Sequence, residues 1–435
     1  MSTKQKAPRK RIDWVYSTLP VNIALGPIGT YVQLYLLHAN GVQQGTVYVT
    51  VALSLFSAVS IPAAIVWGIV TDRLRRRRLI IVTGYAITAI YLFSFFFANS
   101  TTGVIFVYSL VSFISAASAT PLNLLIMETE TKSRWATGFA RLSLMSSVGS
   151  ILGYVLSAAW VQFLPNLIVW LMIPLGILSL LSAASAAILM QEPTFLFEKE
   201  IVVMQRPGFF QRLSAFPLLF LNIPRPSDFQ RIFKGLRSEL TSYVPLLYIS
   251  IVVFYFASGV FNTSLVPSFY AHSLTESEVY TLNVAALVAQ VLSFRYAGRY
   301  IANRSLTRVA IQSLVLRGAC YAALGFASLL VAGIWFFVPA LILFPVSSGI
   351  AYGIYYTASN TMVFNSIRGN NHGSSLGVYS AIVGVSTTVG SVVSGLVSNY
   401  LGFHSTFILA GLLLGLAAII TARLSSEGRG TEIAA

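Results

Sequence analysis

Residues 68–78 read Gly68-Ile69-Val70-Thr71-Asp72-Arg73-Leu74-Arg75-Arg76-Arg77-Arg78, so five of eleven positions are arginine. On either side of this knot of charge the chain is almost wholly apolar, over 46–71 before it and 79–99 after it. Each flank is long enough to cross a bilayer as a helix, which takes about 20 mostly apolar residues. Lys and Arg collect in the cytoplasmic loops of membrane proteins, so the pair reads as two spanning helices joined by a cytoplasmic turn.

The pattern repeats along the chain. Twelve apolar runs cover roughly 14–38, 46–71, 79–99, 102–127, 138–163, 166–190, 242–271, 277–298, 306–330, 332–362, 374–398 and 401–423. Short breaks with turn residues separate them, among them Ala39-Asn40-Gly41, Asn99-Ser100, Pro165-Asn166 and Asn399-Tyr400. The runs are too long for strands and lack ten-residue alternation, which argues against a β-barrel. Composition agrees: of 435 residues, 56% are apolar and only 9% charged, against about 25% charged in a soluble domain. Mean hydropathy is +0.76. These values exclude a soluble enzyme, a disordered scaffold and a nucleic-acid reader, and the net charge of +15 belongs to the cytoplasmic loops. Cys320 is the single cysteine, so neither a disulfide within the chain nor a cysteine metal site is expected, and four scattered histidines make no metal cluster.

With twelve spans and the N-terminus in the cytoplasm, 27 of the 28 Lys and Arg fall in or beside cytoplasmic segments, and only Arg317 lies inside a span. Both termini are therefore expected in the cytoplasm. Lys4, Lys6, Arg9, Lys10 and Arg11 resemble a signal-peptide n-region, but the apolar stretch after them is too long for its core and reads as a retained first helix. The expected organisation is an N-terminal tail over 1–13, a six-helix half over 14–190, a linker over 191–241, a second six-helix half over 242–423 and a C-terminal tail over 424–435. The linker is polar, basic and proline-bearing. Its last part is expected to form an amphipathic helix, capped by Ser227 or Asp228, with Phe229, Ile232, Phe233, Leu236 and Leu240 along one face. Such a helix lies at the inner membrane surface.

The stretch from Gly68 to Arg78 resembles the loop 2–3 signature of the major facilitator superfamily: glycine, three residues, Asp-Arg, then a basic cluster, with Arg75 where a second glycine is usual. The resemblance implies an all-α membrane protein of twelve transmembrane helices in two pseudo-symmetric six-helix halves. It also implies a cytoplasmic gate. Gly68 would let the end of span two approach a neighbour, Asp72 would accept from a helix N-terminus, and Arg73, Arg76 and Arg77 would pair with acids or anionic lipid headgroups. Glu128, at the end of span four, is the acid expected to face those arginines. Asn303-Arg304 after span eight is a degraded echo of Asp-Arg. A second echo relates Ser147-Val148-Gly149-Ser150 and Gly153 in span five to Thr388-Val389-Gly390-Ser391 and Gly395 in span eleven. The Gly-Pro form of span five common in antiporters of the family is absent.

The resemblance places spans 1, 4, 7 and 10 around a central cavity. Span one carries Asn22, Gly26, Thr30 and Gln33 on one face, span four Asn123, span seven Tyr255, Ser258 and Asn262, span eight Asn283 and Gln290, and span ten Ser348, Tyr352, Tyr355, Tyr356 and Ser359. Polar side chains in hydrocarbon need partners, so these read as cavity-lining residues, with helix–helix hydrogen bonding as the alternative. Arg317 reads either as an anchor for an anionic solute or as a peripheral residue that snorkels or pairs with backbone carbonyls. His38, His272 and His404 fall near the outer face. No Asp or Glu lies in the central two-thirds of any span, which disfavours proton coupling through a buried acid. The expected function is transport of a small solute across the cell membrane by rocking of the halves, as a facilitator or weakly proton-coupled exporter. The alternative is a non-transporting subunit or receptor of the same fold. No catalytic motif is present, and no cofactor, metal or nucleic-acid partner is expected. The expected partners are a small solute and the lipid bilayer, and the expected state is a monomer.

Overall fold

The computed structural model describes residues 12–74, 76–98, 100–129, 135–190, 245–302, 304–366 and 372–433. The linker with its expected amphipathic helix, the start of the N-terminal tail, and Arg75 and Asn303 lie outside them. Every regular element among the described residues is helical. A short 3-10 turn leads into α1 (Thr18–Leu25), followed by α2 (Ile28–Leu74), α3 (Arg77–Ser94), α4 (Thr101–Thr129), α5 (Trp135–Phe163) and α6 (Met172–Leu189). The second half has α7 (Pro245–Ala271), α8 (Glu276–Ala302), α9 (Leu306–Leu330), α10 (Ile334–Phe344), a π-helical segment over Pro345–Ala351, α11 (Tyr352–Ser366) and α12 (His372–Ile433).

Ten of the helical runs are long and apolar enough to cross a membrane. Two of the ten are hairpins in all but name. α2 turns at Gly41, with φ 71° and ψ 174°, and α12 turns at Gly402, with φ 82° and ψ 167°. Only glycine adopts such angles cheaply, so a single residue replaces a loop. The sequence placed the second break at Asn399-Tyr400; helix instead continues until glycine relieves the backbone. It also continues past 423, where a tail was expected, through Ile433.

Where a loop does open a helix, its chemistry is local. The backbone and hydroxyl of Thr275 donate to Glu278 Oε2 at 2.7 and 2.9 Å, and the Glu278 amide donates back to Thr275 Oγ1 at 3.3 Å. This reciprocal capping box starts α8.

The end of the bundle carrying Arg76–Arg78 is called here the basic end, and the end carrying Gly41 and Gly402 the far end. Within the first half α2 packs on α4, α3 on α6 and α1 on α5; within the second, α7 and α9 pack on α12, and α8 on α11. The halves meet through α2 with α12, α5 with α8, and α2 with α7. Large apolar side chains are exposed all round the bundle, including Phe97, Phe163, Trp170, Leu330, Trp335 and Tyr400 at the far end. Water would not tolerate this surface; acyl chains do, and aromatic rings favour the boundary between lipid and water.

Candidate functional site

At the basic end, Arg77 is buried and its Nη1 donates to the Thr71 carbonyl at 3.3 Å, tying the start of α3 to the end of α2. Arg78 donates to the Ala187 carbonyl at the end of α6. Arg76 is exposed at the cap of α3, and Arg304 is exposed with its guanidinium 4.0 Å from the Tyr300 ring centre. The side chains of Asp72, Arg73 and Glu128 are outside the described set, as is Asn303. Gly68 differs from expectation. A methyl added there would meet nothing within 4 Å, so the close approach expected of it is not made in this conformation.

The two sequence echoes occupy equivalent seams. On α5, a Cβ at Gly149 would stand 2.6 Å from Asn22 Cβ, and one at Gly153 2.9 Å from Pro27 Cδ and inside contact with the Ile23 carbonyl oxygen. On α12, Gly390 lies directly against the Phe256 carbonyl of α7, with Gly259 Cα 3.2 Å from the built Cβ. The first half thus packs α5 on α1 as the second packs α12 on α7. Gly395 does something else: it faces Thr50 of α2, across the halves.

Four of the polar residues expected to line a cavity bond a carbonyl of their own helix. Asn22 Nδ2 donates to the Thr18 carbonyl at 2.7 Å, Gln33 Nε2 to Gly29 at 3.1 Å, Ser258 Oγ to Phe254 at 2.8 Å, and Asn283 Nδ2 to Val279 at 2.9 Å. The i−4 carbonyl is always within reach on a helix, so a polar side chain can enter hydrocarbon with no external partner. Two also reach outward: Asn22 Oδ1 accepts from Ser146 of α5 at 2.8 Å, and the Thr30 hydroxyl meets that of Tyr154 at 3.2 Å. Asn22 and Thr30 therefore bind helix to helix. Gln33 keeps one buried oxygen, Oε1, without a partner. Tyr255 is half-buried, Asn262 is exposed in mid-α7, and Gln290 is half-buried on α8, where its backbone packs on Gly349. At the far end a cavity of about 370 Å³ opens between α5 and α8, lined by Val155, Ala158, Phe163, Thr281 and Val284. None of the polar residues named above lines it.

Arg317 departs furthest from the peripheral reading. It neither snorkels nor bonds a carbonyl among the described residues: it is 3% exposed and enclosed by rings. Its Nε–H donates to the Tyr321 hydroxyl at 2.8 Å. Its guanidinium carbon lies 4.8 Å from the ring centre of Phe254, on α7, and 5.2 Å from those of Tyr321, on α9, and Tyr352, on α11. Arg317 Nη1 is buried with no hydrogen-bond partner. Ser348 Oγ, in the π-helical segment, is close enough to act on Tyr321 yet makes no well-formed hydrogen bond. From this cage a ladder of rings runs along α11: Phe254 stacks on Tyr355 at 4.0 Å, and Tyr352 on Tyr356 at 5.6 Å. Tyr356 is exposed.

The sequence profile of the Major Facilitator Superfamily matches residues 17–220 and 247–432. The chain belongs to that superfamily. It is therefore a multi-pass integral membrane protein of a transporter family. Solved structures of such transporters share its fold along nearly the whole chain. A variant of the nucleoside transporter NupG superposes with a TM-score of 0.65 at 13% identity, covering 94% of this chain and 98% of its own. A POT-family transporter in complex with a thioalcohol-conjugated peptide gives 0.66 at 12%, covering 95% of each chain. The human organic anion transporter MFSD10 (TETRAN) gives 0.61 at 15%, covering 95% of this chain and all of its own. At these identities the likeness is one of fold. No curated protein sequence matches the chain.

Sequence reasoning singled out Arg317, Ser348 and Tyr352 but missed Phe254 and Tyr321. Tyr321 had a readable signal, one turn after Arg317 on the same helix. Phe254 had none, because only the crossing of α7, α9 and α11 brings it to Arg317.

Proposed function

We propose that this chain carries a small organic solute across the cytoplasmic membrane by alternating access, through twelve crossings with both termini in the cytoplasm. Counting the two runs broken at Gly41 and Gly402 as hairpins supports the number twelve. The distribution of Lys and Arg supports the orientation. The observation that carries the reading is the duplicated glycine seam, Gly149–Gly153 on α1 and Gly390 on α7. It makes two like bodies, and two like bodies joined edge to edge can rock about a site between them.

The contacts across the halves that involve Thr50 with Gly395 and Tyr154 with Tyr280 belong to the far end. In this conformation the solute path then opens toward the basic end, with Tyr255, Asn262, Gln290, Tyr352 and Tyr356 nearest to it. Asp72, Arg73, Arg76 and Arg77, with Glu128 and the Asn303-Arg304 echo, form the gate that closes in the opposite conformation. Gly68 makes its close contact there. The exposed Arg76 and Arg78 face anionic headgroups. With no carboxylate in the middle of a span, the protein works as a facilitator or a weakly proton-coupled exporter, and as a monomer. The solutes named for the three fold neighbours differ, so the fold alone selects none of them.

The test is flux. Full-length protein in liposomes is loaded with a panel of nucleosides, sugars, peptides and organic ions, with and without a pH gradient. Uptake of one class, lost in Asp72→Asn, supports the reading. No flux from any class, together with a stable native complex containing a second protein, replaces it with the subunit role.

A further inference from the structure

We infer that Arg317 and its ring cage form the binding site for the carboxylate of an organic monoacid with a flat apolar body, the solute of the transport reading on which this inference rests. Guanidinium stays charged at any physiological pH. Burying it is costly unless an anion pairs with it. Among the described residues no acid pairs with it. Between residues 242 and 423 the only acids are Glu276 and Glu278. Both sit in the first turn of α8, at the far end, whereas Arg317 is thirteen residues before the far end of α9, about 20 Å along the axis.

The rings offset part of the cost. Three ring faces lie within 5.2 Å of the guanidinium carbon, the geometry of a cation over π electrons. They leave Nη1 buried and unpartnered, and the Ser348 hydroxyl, beside the same Tyr321 that accepts from Arg317 Nε, has no well-formed hydrogen bond either. Two unused polar groups, one of them cationic, are the donor set a carboxylate oxygen takes. Arg317 is the only basic residue between Arg308 and Arg368, so one negative charge is matched and a second would be left bare. The class of the remainder follows from the walls. Phe254, Tyr352, Tyr355 and Tyr356 form a stack of rings from the cage to the exposed Tyr356, and ring surface is what a planar apolar body packs against best.

The experiment uses the purified full-length protein and three probes: benzoate, benzamide and chloride. Benzoate is expected to raise the melting midpoint saturably, and benzamide, in which a neutral amide replaces the carboxylate on the same ring, is not. Arg317→Gln is expected to weaken benzoate binding about tenfold or more, as befits the loss of a charge-assisted pair. Arg317→Lys keeps the charge without the fork and is expected to retain part of the response; it also serves if the glutamine variant fails to fold. Equal shifts with benzoate and benzamide, an unchanged benzoate response in Arg317→Gln, no benzoate response at all, or a saturable shift from chloride alone would each overturn the inference. Uptake of labelled benzoate into liposomes separates the two readings: flux of a neutral solute without benzoate sinks this inference and leaves transport standing, whereas flux of neither sinks both.

Discussion

Tyr154 of α5 and Tyr280 of α8 meet ring to ring at the far end, 6.0 Å between centres and inclined at 59°, and so close one six-helix half against the other. The two hydroxyls differ. That of Tyr154 bonds Thr30, whereas that of Tyr280 is buried without a partner. A buried hydroxyl without a hydrogen bond costs about 1–3 kcal/mol. Tyr280→Phe is therefore expected to leave the protein as stable or up to about 1 kcal/mol more stable, read as a raised melting midpoint. Tyr280→Ala removes the ring and opens the far end. A cysteine placed at Thr30 would then react with a membrane-impermeant maleimide in the alanine variant and not in the phenylalanine one. Equal labelling of both would mean that the ring does not hold the far end shut.

The glycine seams predict a graded set of alanine variants. At Gly153 and Gly390 the added methyl runs into a backbone carbonyl, of Ile23 and Phe256 respectively, and neither can move without its helix. Each is expected to cost about 1–3 kcal/mol. Gly415→Ala and Gly68→Ala add a methyl into open space and are expected to be neutral or slightly stabilising. Melting midpoints of the four variants decide this. Neutral stability with lost flux in Gly68→Ala would show that its close contact belongs to the other conformation.

Glu278 is one of the two acids between residues 242 and 423. The structure employs it as a cap. Glu278→Ala is expected to cost about 1 kcal/mol through loss of the bonds with Thr275, and Glu278→Gln to recover most of that, since an amide oxygen still accepts. Loss of flux in Glu278→Gln with an unchanged midpoint would restore a functional role.

His272 ties three helices together at the far end. One ring nitrogen faces the Ser268 carbonyl at 2.7 Å and the other the Ser328 carbonyl at 2.8 Å, while the ring stacks on Phe336 at 4.3 Å. His272→Phe keeps the stack and removes both polar contacts. An imidazole with one N–H donates to only one of the two carbonyls, and the Ser268 carbonyl also accepts the His272 amide at 3.0 Å, so the loss is expected to cost about 1 kcal/mol, seen as a lower midpoint. His272→Ala, which also loses the stack, is expected to fall further. A phenylalanine variant as stable as the native protein would mean that the polar contacts contribute nothing.

The sequence alone determined that the chain is helical, apolar and membrane-spanning, and it pointed to the family through the residues from Gly68 to Arg78. Length and hydropathy suffice for that, because a bilayer admits so few backbone solutions. It also marked the duplicated seam, since small residues repeat where two helices must touch. It could not say what a polar residue inside a span is for. Gln33, Ser258 and Asn283 each bond a third kind of partner besides ligand and neighbouring helix, the carbonyl one turn back, and Asn22 bonds both that carbonyl and Ser146 of α5. Nor could it place Arg317. Whether a buried cation is sheltered, paired or left waiting depends on which rings close around it. Phe254 and Tyr352 lie 63 and 35 residues away along the chain. Only the crossing of α7, α9 and α11 brings their faces to the guanidinium, and that crossing is a property of the packed bundle.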